Sequence, residues 1–254
     1  MGRPSGNAVK LVDELVAWLS TPANWTGSDG MLPRLVEHLA LSVGTLAIAV
    51  AIGLPIGLAI GHSGRGAGLT INAANIGRAI PTLAIMGIVL TITAGWWQPY
   101  GFFLIPTVAA LTALAIPPIV TNTYAGLREV DADAIEAGRG MGMRELQLLW
   151  RVEVPLALPS ILAGLRVSAV QVVATATLAA VLGAGGLGRL IVDGIAQQDD
   201  AELFMGALLV AALSILTELG FAAIGRLAVP RGLRGGRRIV EMASPAETGS
   251  VAEP

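Results

Sequence analysis

The chain has 254 residues, 54% of them apolar and only 13% charged, with a mean hydropathy of +0.71 and a formal net charge of −2. Soluble domains carry about 25% charged residues, so the composition points to a membrane, while the small net charge says little about partners. Cysteine is absent and Lys10 is the sole lysine, without phosphate-cradling glycines before it, which excludes disulfides, a thiolate nucleophile, a Cys-ligated zinc and a Walker-type ATP site on this chain.

Residues 1–31 lack the unbroken apolar core of a cleaved signal peptide, because Asp13 and Glu14 interrupt the candidate run. Leu11, Val12, Leu15, Val16 and Leu19 recur at helical spacing beside Trp18, which predicts an amphipathic helix over 8–19. It either lies at the membrane interface or packs on the rest of the domain. Asn24-Trp25-Thr26 fits a glycosylation acceptor, a common chance match, and is discounted.

A transmembrane domain is expected over 32–228, beginning with a span at 39–60 that covers a hydrocarbon core of about 30 Å. Gly53, Gly57 and Gly61 put small residues on one face for close helix approach, and Pro55 should bend the helix. The second span, 69–94, carries Asn72, Asn75 and Arg78 in its first half, which lies flat or lines a polar cavity before Pro81. Residues 95–101 read as a turn with interfacial aromatics, and the third span, 102–124, contains Pro106, Pro117 and Pro118.

The polar loop 129–155 follows. A helix from Asp131 to Gly138 should end in glycines that permit positive φ, and a second helix from Arg144 to Val154 carries Arg144, Glu145, Arg151 and Glu153 before Pro155 and Pro159 lead into the fourth span, 156–182. Gly183-Ala-Gly-Gly-Leu-Gly188 fits G-x-G-x-x-G but follows a long apolar helix rather than a strand, so it is no dinucleotide fingerprint. The fifth span, 203–225, holds Glu218, the one carboxylate well inside a span; carrying protons, pairing with Arg78 or Arg166, and lying near the boundary are its three readings, with the last two favoured. The tail 229–254 is basic to Arg238 and then has a disordered composition.

With the polar loop inside, Arg65, Arg128, Arg139, Arg144, Arg151, Arg226, Arg231, Arg234, Arg237 and Arg238 collect on the inner side, against Arg3, Lys10, Arg34 and Arg189 outside. This bias puts the N-terminus outside and the C-terminus in the cytoplasm. His38 and His62 sit at opposite ends of the first span and cannot readily share a site, and no hydrolase or paired metal-ligand motif is present.

Glu136-Ala137, Gly142 and Val152-x-Val154-Pro155 resemble the E-A-A-x3-G-x9-I-x-L-P loop of ATP-binding-cassette importer permeases, with Gly138 in place of the second Ala and valines in place of Ile and Leu. The run from Glu136 to Gly188 is similar to the osmoprotectant (glycine betaine, choline, carnitine) branch of that family. The resemblance implies an all-α integral membrane protein of the bacterial cytoplasmic membrane, a five-span type I importer transmembrane domain with cytoplasmic coupling helices. It implies that Glu136, Ala137, Gly138 and Gly142 dock on a separate ATPase, with Arg139 and Arg144 as polar contacts. Pathway or gate elements carried over are Pro81 and Thr82, Asn122, Thr123 and Tyr124, and Gly185 and Gly186, with Glu218 as a further candidate. The implied partners are ATPase subunits, an extracytoplasmic substrate-binding protein, a second permease subunit (the same chain or a paralogue) and lipid, with no nucleic acid. The chain itself is then no enzyme and binds no cofactor or metal; ATP and Mg belong to the partner ATPase. The rival readings are a methionine or other amino-acid permease of the same type, a gradient-driven carrier or channel, and a membrane-embedded enzyme or assembly factor. A single intramembrane carboxylate is thin support for a proton-coupled carrier, and no channel filter is recognisable.

Overall fold

Residues 5–96 and 101–229 are described in the computed structural model, residues 5–9 by their backbone alone. Trp97, Gln98, Pro99 and Tyr100 of the expected turn, Arg3, and the tail with Arg231, Arg234, Arg237 and Arg238 lie outside the described residues. The described residues form helices and no strands. In chain order these are α1 (Ser5–Ser20), α2 (Ala23–Thr26), α3 (Met31–Ser63), α4 (Ala67–Ala79), α5 (Thr82–Thr93), α6 (Leu104–Arg128), α7 (Ala132–Gly140), α8 (Glu145–Leu148), α9 (Val154–Thr175), α10 (Gly188–Gln197) and α11 (Asp200–Ala228). A π turn, Leu149–Glu153, joins α8 to α9, and a 3-10 stretch, Ala176–Leu182, extends α9.

Among the described residues α3, α6, the continuous run Glu145–Leu182 and α11 are each long and apolar enough to cross a membrane. The pair α4 and α5, bent by 89°, is apolar enough in combination to form a broken fifth span or a re-entrant loop. The break falls at Pro81, which supplies no N–H to continue α4 and itself precedes the first residue of α5. At about 1.5 Å per residue α3 is roughly 50 Å long, so it projects well beyond the 39–60 stretch that was expected to cross.

Helix α6 is the central element, in contact with α3, α4, α5 and α9. The glycine stripe on α3 sets its distance from α6: a Cβ on Gly53 would lie 3.3 Å from Ile119, one on Gly57 2.7 Å from the Thr123 Cβ, and one on Gly61 2.9 Å from the Leu127 Cβ. Three positions at four-residue spacing on α3 thus meet three on α6, as the spacing predicts. The other side of α6 approaches α9 in the same way, with Gly126 against Ser160 and Gly164 against Asn122. Without a hydrophobic drive between helices in lipid, such close backbone packing supplies much of the cohesion.

Helix α11 belongs to a second group, packed on α9, α10 and α1. Trp18 of α1 is buried with Met31, Ala201 and Met205, so the amphipathic N-terminal helix packs on the domain by one face, while Val12, Val16 and Leu19 of the other face stay exposed. The sequence reading passed over α10, taking residues 189–202 as connection. The helix forms because Gly194 admits the backbone of Leu203 and Gly206 admits Leu190 and Ile191, which lets α10 fold back along α11.

Two expectations for the polar loop need correction. No separate second helix ends at Pro155; α8, the π turn and α9 run on without a break. A proline ring clashes with the carbonyl four residues before it, here that of Arg151, and the wider π turn, in which the Val154 N–H donates to the Leu149 carbonyl, relieves that clash. Gly138 does not end the first helix either; it is buried inside α7, and the left-handed turn falls at Gly142 alone.

Candidate functional site

The polar loop is built around α7. Asp131 caps it by accepting a hydrogen bond from the Asp133 N–H at 3.0 Å, and Asp133 and Arg139 lie at the ends favoured by the helix dipole. Its C-terminus closes with two reversed bonds, Gly142 N–H to the Arg139 carbonyl (2.9 Å) and Met143 N–H to the Gly138 carbonyl (3.2 Å). That pairing requires a left-handed residue between them, and Gly142 has φ +81°.

Gly138 has a different task. A Cβ there would stand 2.7 Å from Leu148 Cδ1, and Leu148 is fully buried. The departure from the E-A-A pattern therefore has a local cause: with Gly138, Leu148 of α8 can seat directly on the backbone of α7. Across the turn, Gln147 accepts from the Arg144 N–H (2.9 Å), so Arg144 caps α8.

A chain of charged groups ties this unit to α3. Arg139 Nε and one terminal nitrogen each donate to Glu145 at 3.3 Å, a bidentate contact that holds the guanidinium above its ordinary pKa. Glu145 lies 3.5 Å from His62 Nε2 at the end of α3, and His62 Nδ1 donates to Glu153 at 2.7 Å. The Glu153 side chain is only 6% exposed, so this last bond sits inside the fold, where the π turn has carried the carboxylate. In the sequence His62 stands apart from His38 at the end of an apolar run, a position that holds no sign of carboxylates 83 and 91 residues later.

What the loop presents outward is mixed. Glu136, Ala137, Arg139, Gly142 and Arg144 are exposed, and with them stand Met141, Leu146 and Trp150, at 71%, 70% and 57% exposure. Leu146 and Trp150 are four residues apart and share a helix face. Large apolar side chains set among charges at a bundle end mark a protein-contact surface. Their signal in the sequence is a pair of apolar residues at helical spacing inside a polar loop, masked by the charges around it.

The remaining candidates are scattered. Pro81 and Thr82 lie at the break between α4 and α5. Thr123 is buried against Gly57, and Asn122 packs on Gly164 while donating to the Pro118 carbonyl at 2.8 Å; Tyr124 follows them on α6, half-buried. Gly185 and Gly186 sit at the opposite end of the bundle from the loop, where the Gly186 N–H donates to Glu37 at 2.8 Å and Arg34 braces Glu37 at 3.0 Å. His38, beside them, donates to the Val173 carbonyl at 2.9 Å, far from His62. Glu218 pairs with Arg166 at 3.2 Å, the second of the partners considered for it. Among the described residues no group of three or more His, Asp or Glu side chains is arranged to hold a metal ion.

A family model described as "Binding-protein-dependent transport system inner membrane component" matches residues 32–231. Among curated proteins, the chain is 32% identical over 214 residues to the glycine betaine/carnitine/choline transport system permease protein OpuCB of Bacillus subtilis, covering 84% of this chain and 95% of that one. It is 34% identical over 198 residues to the osmoprotectant import permease protein OsmW of Salmonella typhimurium, covering 78% and 91%. Among solved structures it resembles a chain of the MetNI methionine ABC transporter in an inward-facing conformation, with a TM-score of 0.69 at 25% identity over 79% of this chain and 96% of that one.

Proposed function

The chain belongs to the family of binding-protein-dependent transport system inner membrane components, and on that footing we propose that it is the permease subunit of an importer for osmoprotectants of the quaternary ammonium type: glycine betaine, carnitine and choline. The observation that carries the coupling half of this reading is the loop surface, where Met141, Leu146 and Trp150 stand exposed beside Glu136 and Arg144 on a unit pinned to α3 and continuous with α9. A partner ATPase subunit docks there, with Glu136, Ala137, Gly138, Arg139, Gly142 and Arg144 forming or shaping the contact. ATP and Mg are bound by that partner. An extracytoplasmic binding protein delivers substrate at the end that holds Gly185 and Gly186, and a second permease subunit, identical or paralogous, completes the pathway.

The loop end faces the cytoplasm. Arg65, Arg128, Arg139, Arg144, Arg151 and Arg226 gather there, against Arg34 and Arg189 at the other end, and this asymmetry supports an N-terminus outside. A methionine transporter shares the fold, yet the osmoprotectant permeases are nearer in sequence, and the substrate reading follows them. The test is growth of a host stripped of its own osmoprotectant uptake: at high salt, the chain with its ATPase and binding protein should restore growth on glycine betaine, carnitine or choline, and omission of the ATPase should abolish it. Uptake that is specific for methionine, or that survives without the ATPase, overturns the assignment.

A further inference from the structure

Arg166 on α9 and Glu218 on α11 form an ion pair that the bundle core does not cover. Their side chains are 40% and 47% exposed, and the contact is a single one at 3.2 Å rather than a bidentate fork. Glu218 lies six residues before Ile224 and Arg166 ten after Leu156, which places them about 10–15 Å inside the apolar stretches of their helices, a third to a half of the way through a hydrocarbon core of about 30 Å. A charged side chain facing lipid at such depth costs about 3 kcal/mol on insertion scales, and intramembrane charges therefore face a wet cavity or another protein. A cavity of about 480 Å³ opens directly beside the pair, between α9 and α11. Arg166 lines it together with Leu162, Phe221 and Arg226; Glu218 stands one turn from Phe221 on the same face of α11. That volume lies within the usual range for small-ligand sites.

We propose that the Arg166–Glu218 pair and the Phe221 ring form a substrate site within the span that is matched to zwitterions: a ligand carboxylate takes Arg166, and its quaternary ammonium takes Glu218 and the aromatic face. The inference rests on the osmoprotectant reading and sharpens it. An ion pair at this depth held by one contact is opened without leaving a charge unpaired only by a ligand that carries both signs. Glycine betaine and carnitine do so. Choline satisfies Glu218 and Phe221 but strands Arg166, so the site favours the zwitterions over choline at equal loading of the binding protein.

The test uses the complete transporter in liposomes, with uptake of labelled glycine betaine and choline measured in parallel. The double variant Arg166→Gln/Glu218→Gln keeps polar side chains at both positions and leaves no orphan charge. It should lose glycine betaine uptake by about tenfold or more, the value of one charge-assisted contact, and with it the preference over choline. In the otherwise cysteine-free chain, Ala222→Cys on the cavity wall should react with a cationic, hydrophilic thiol reagent and be protected by glycine betaine. A double variant with the parent's preference reduces the pair to a structural brace. An unreactive Ala222→Cys places this face against lipid or a second permease subunit, and either result overturns the proposal. If the double variant fails to assemble, protection at Ala222→Cys decides. A parent that takes up neither compound instead removes the substrate reading, and this site with it.

Discussion

Replacing His62 by alanine removes the ring that joins α3 to the polar loop and leaves Glu153, with its side chain 6% exposed, without its hydrogen-bond donor. Breaking a buried pair from one side costs about 3–5 kcal/mol. His62 is itself 20% exposed, so water reaches that edge of the site and the lower end, about 3 kcal/mol, is the appropriate figure. For a domain of about 200 residues, where 1 kcal/mol moves the melting midpoint by about 2–4 °C, His62→Ala should melt about 6–12 °C below the parent. The double variant His62→Leu/Glu153→Leu, which leaves no buried carboxylate, should recover most of that loss. Thermal unfolding of the detergent-purified chain, followed by size exclusion, measures this directly. The functional companion is the number of substrate molecules moved per ATP hydrolysed by the assembled transporter, which should fall for His62→Ala because α3 no longer follows the loop. If His62→Ala melts with the parent and keeps its coupling ratio, the His62–Glu153 bond is not what fastens the loop, and the mechanical reasoning built on it fails.

Trp150→Glu should leave the fold intact, since the side chain is 57% exposed, yet weaken capture of the ATPase by about 2 kcal/mol, roughly thirtyfold, if Trp150 is an interface anchor; co-purification measures it. Gly142→Val forces a branched side chain into φ +81° and should cost about 1–3 kcal/mol, lowering binding-protein-stimulated ATP hydrolysis while membrane insertion stays at the parent's level. Gly57→Ala should melt below Gly44→Ala. Both gain the same helix propensity of about 1 kcal/mol, but the first meets the Thr123 Cβ at 2.7 Å and the Val120 carbonyl at 3.2 Å, whereas the second meets nothing within 4 Å; equal midpoints would contradict the packing assigned to the stripe. Single cysteines at Asn24 and Gln198 should react with an impermeant reagent added to intact cells, and one at Arg139 should not; labelling of position 139 from outside reverses the orientation.

The parts of this fold that periodicity and composition encode were legible without coordinates. Apolar stretches announce the four unbroken helices, and the bent α4–α5 pair with them, because the hydrocarbon core imposes a length, and the four-residue spacing of Gly53, Gly57 and Gly61 announces the close contact with α6. What stayed hidden depends on partners distant in sequence. The π turn at Leu149–Glu153 answers Pro155, but its effect, turning Glu153 inward to His62, needs α3 in place. Gly138 reads as a helix stop until Leu148 is seen lying on it. Helix α10 has no long apolar run to announce it and forms because Gly194 and Gly206 make room for it along α11.

These contacts also determine where a push on the loop goes. From Glu145 to Leu182 the backbone is helical without a gap, so displacement at Leu146 or Trp150 reaches the middle of the bundle along one rod. Leu148 on Gly138 carries α7 with it, and His62 carries α3. Gly126 against Ser160 and Gly164 against Asn122 lock α9 to α6, and the glycine stripe locks α6 to α3, all through close contacts that leave little slack. Helices α3, α6 and α9 therefore form one closely packed block. Helix α11 meets that block along α9, beside the cavity at Arg166 and the single-contact ion pair to Glu218, and at Met31 of α3, and it packs on α10 and α1 as well. On the coupling proposed above, a displacement of that block against α11 would change the cavity beside which the ion pair sits.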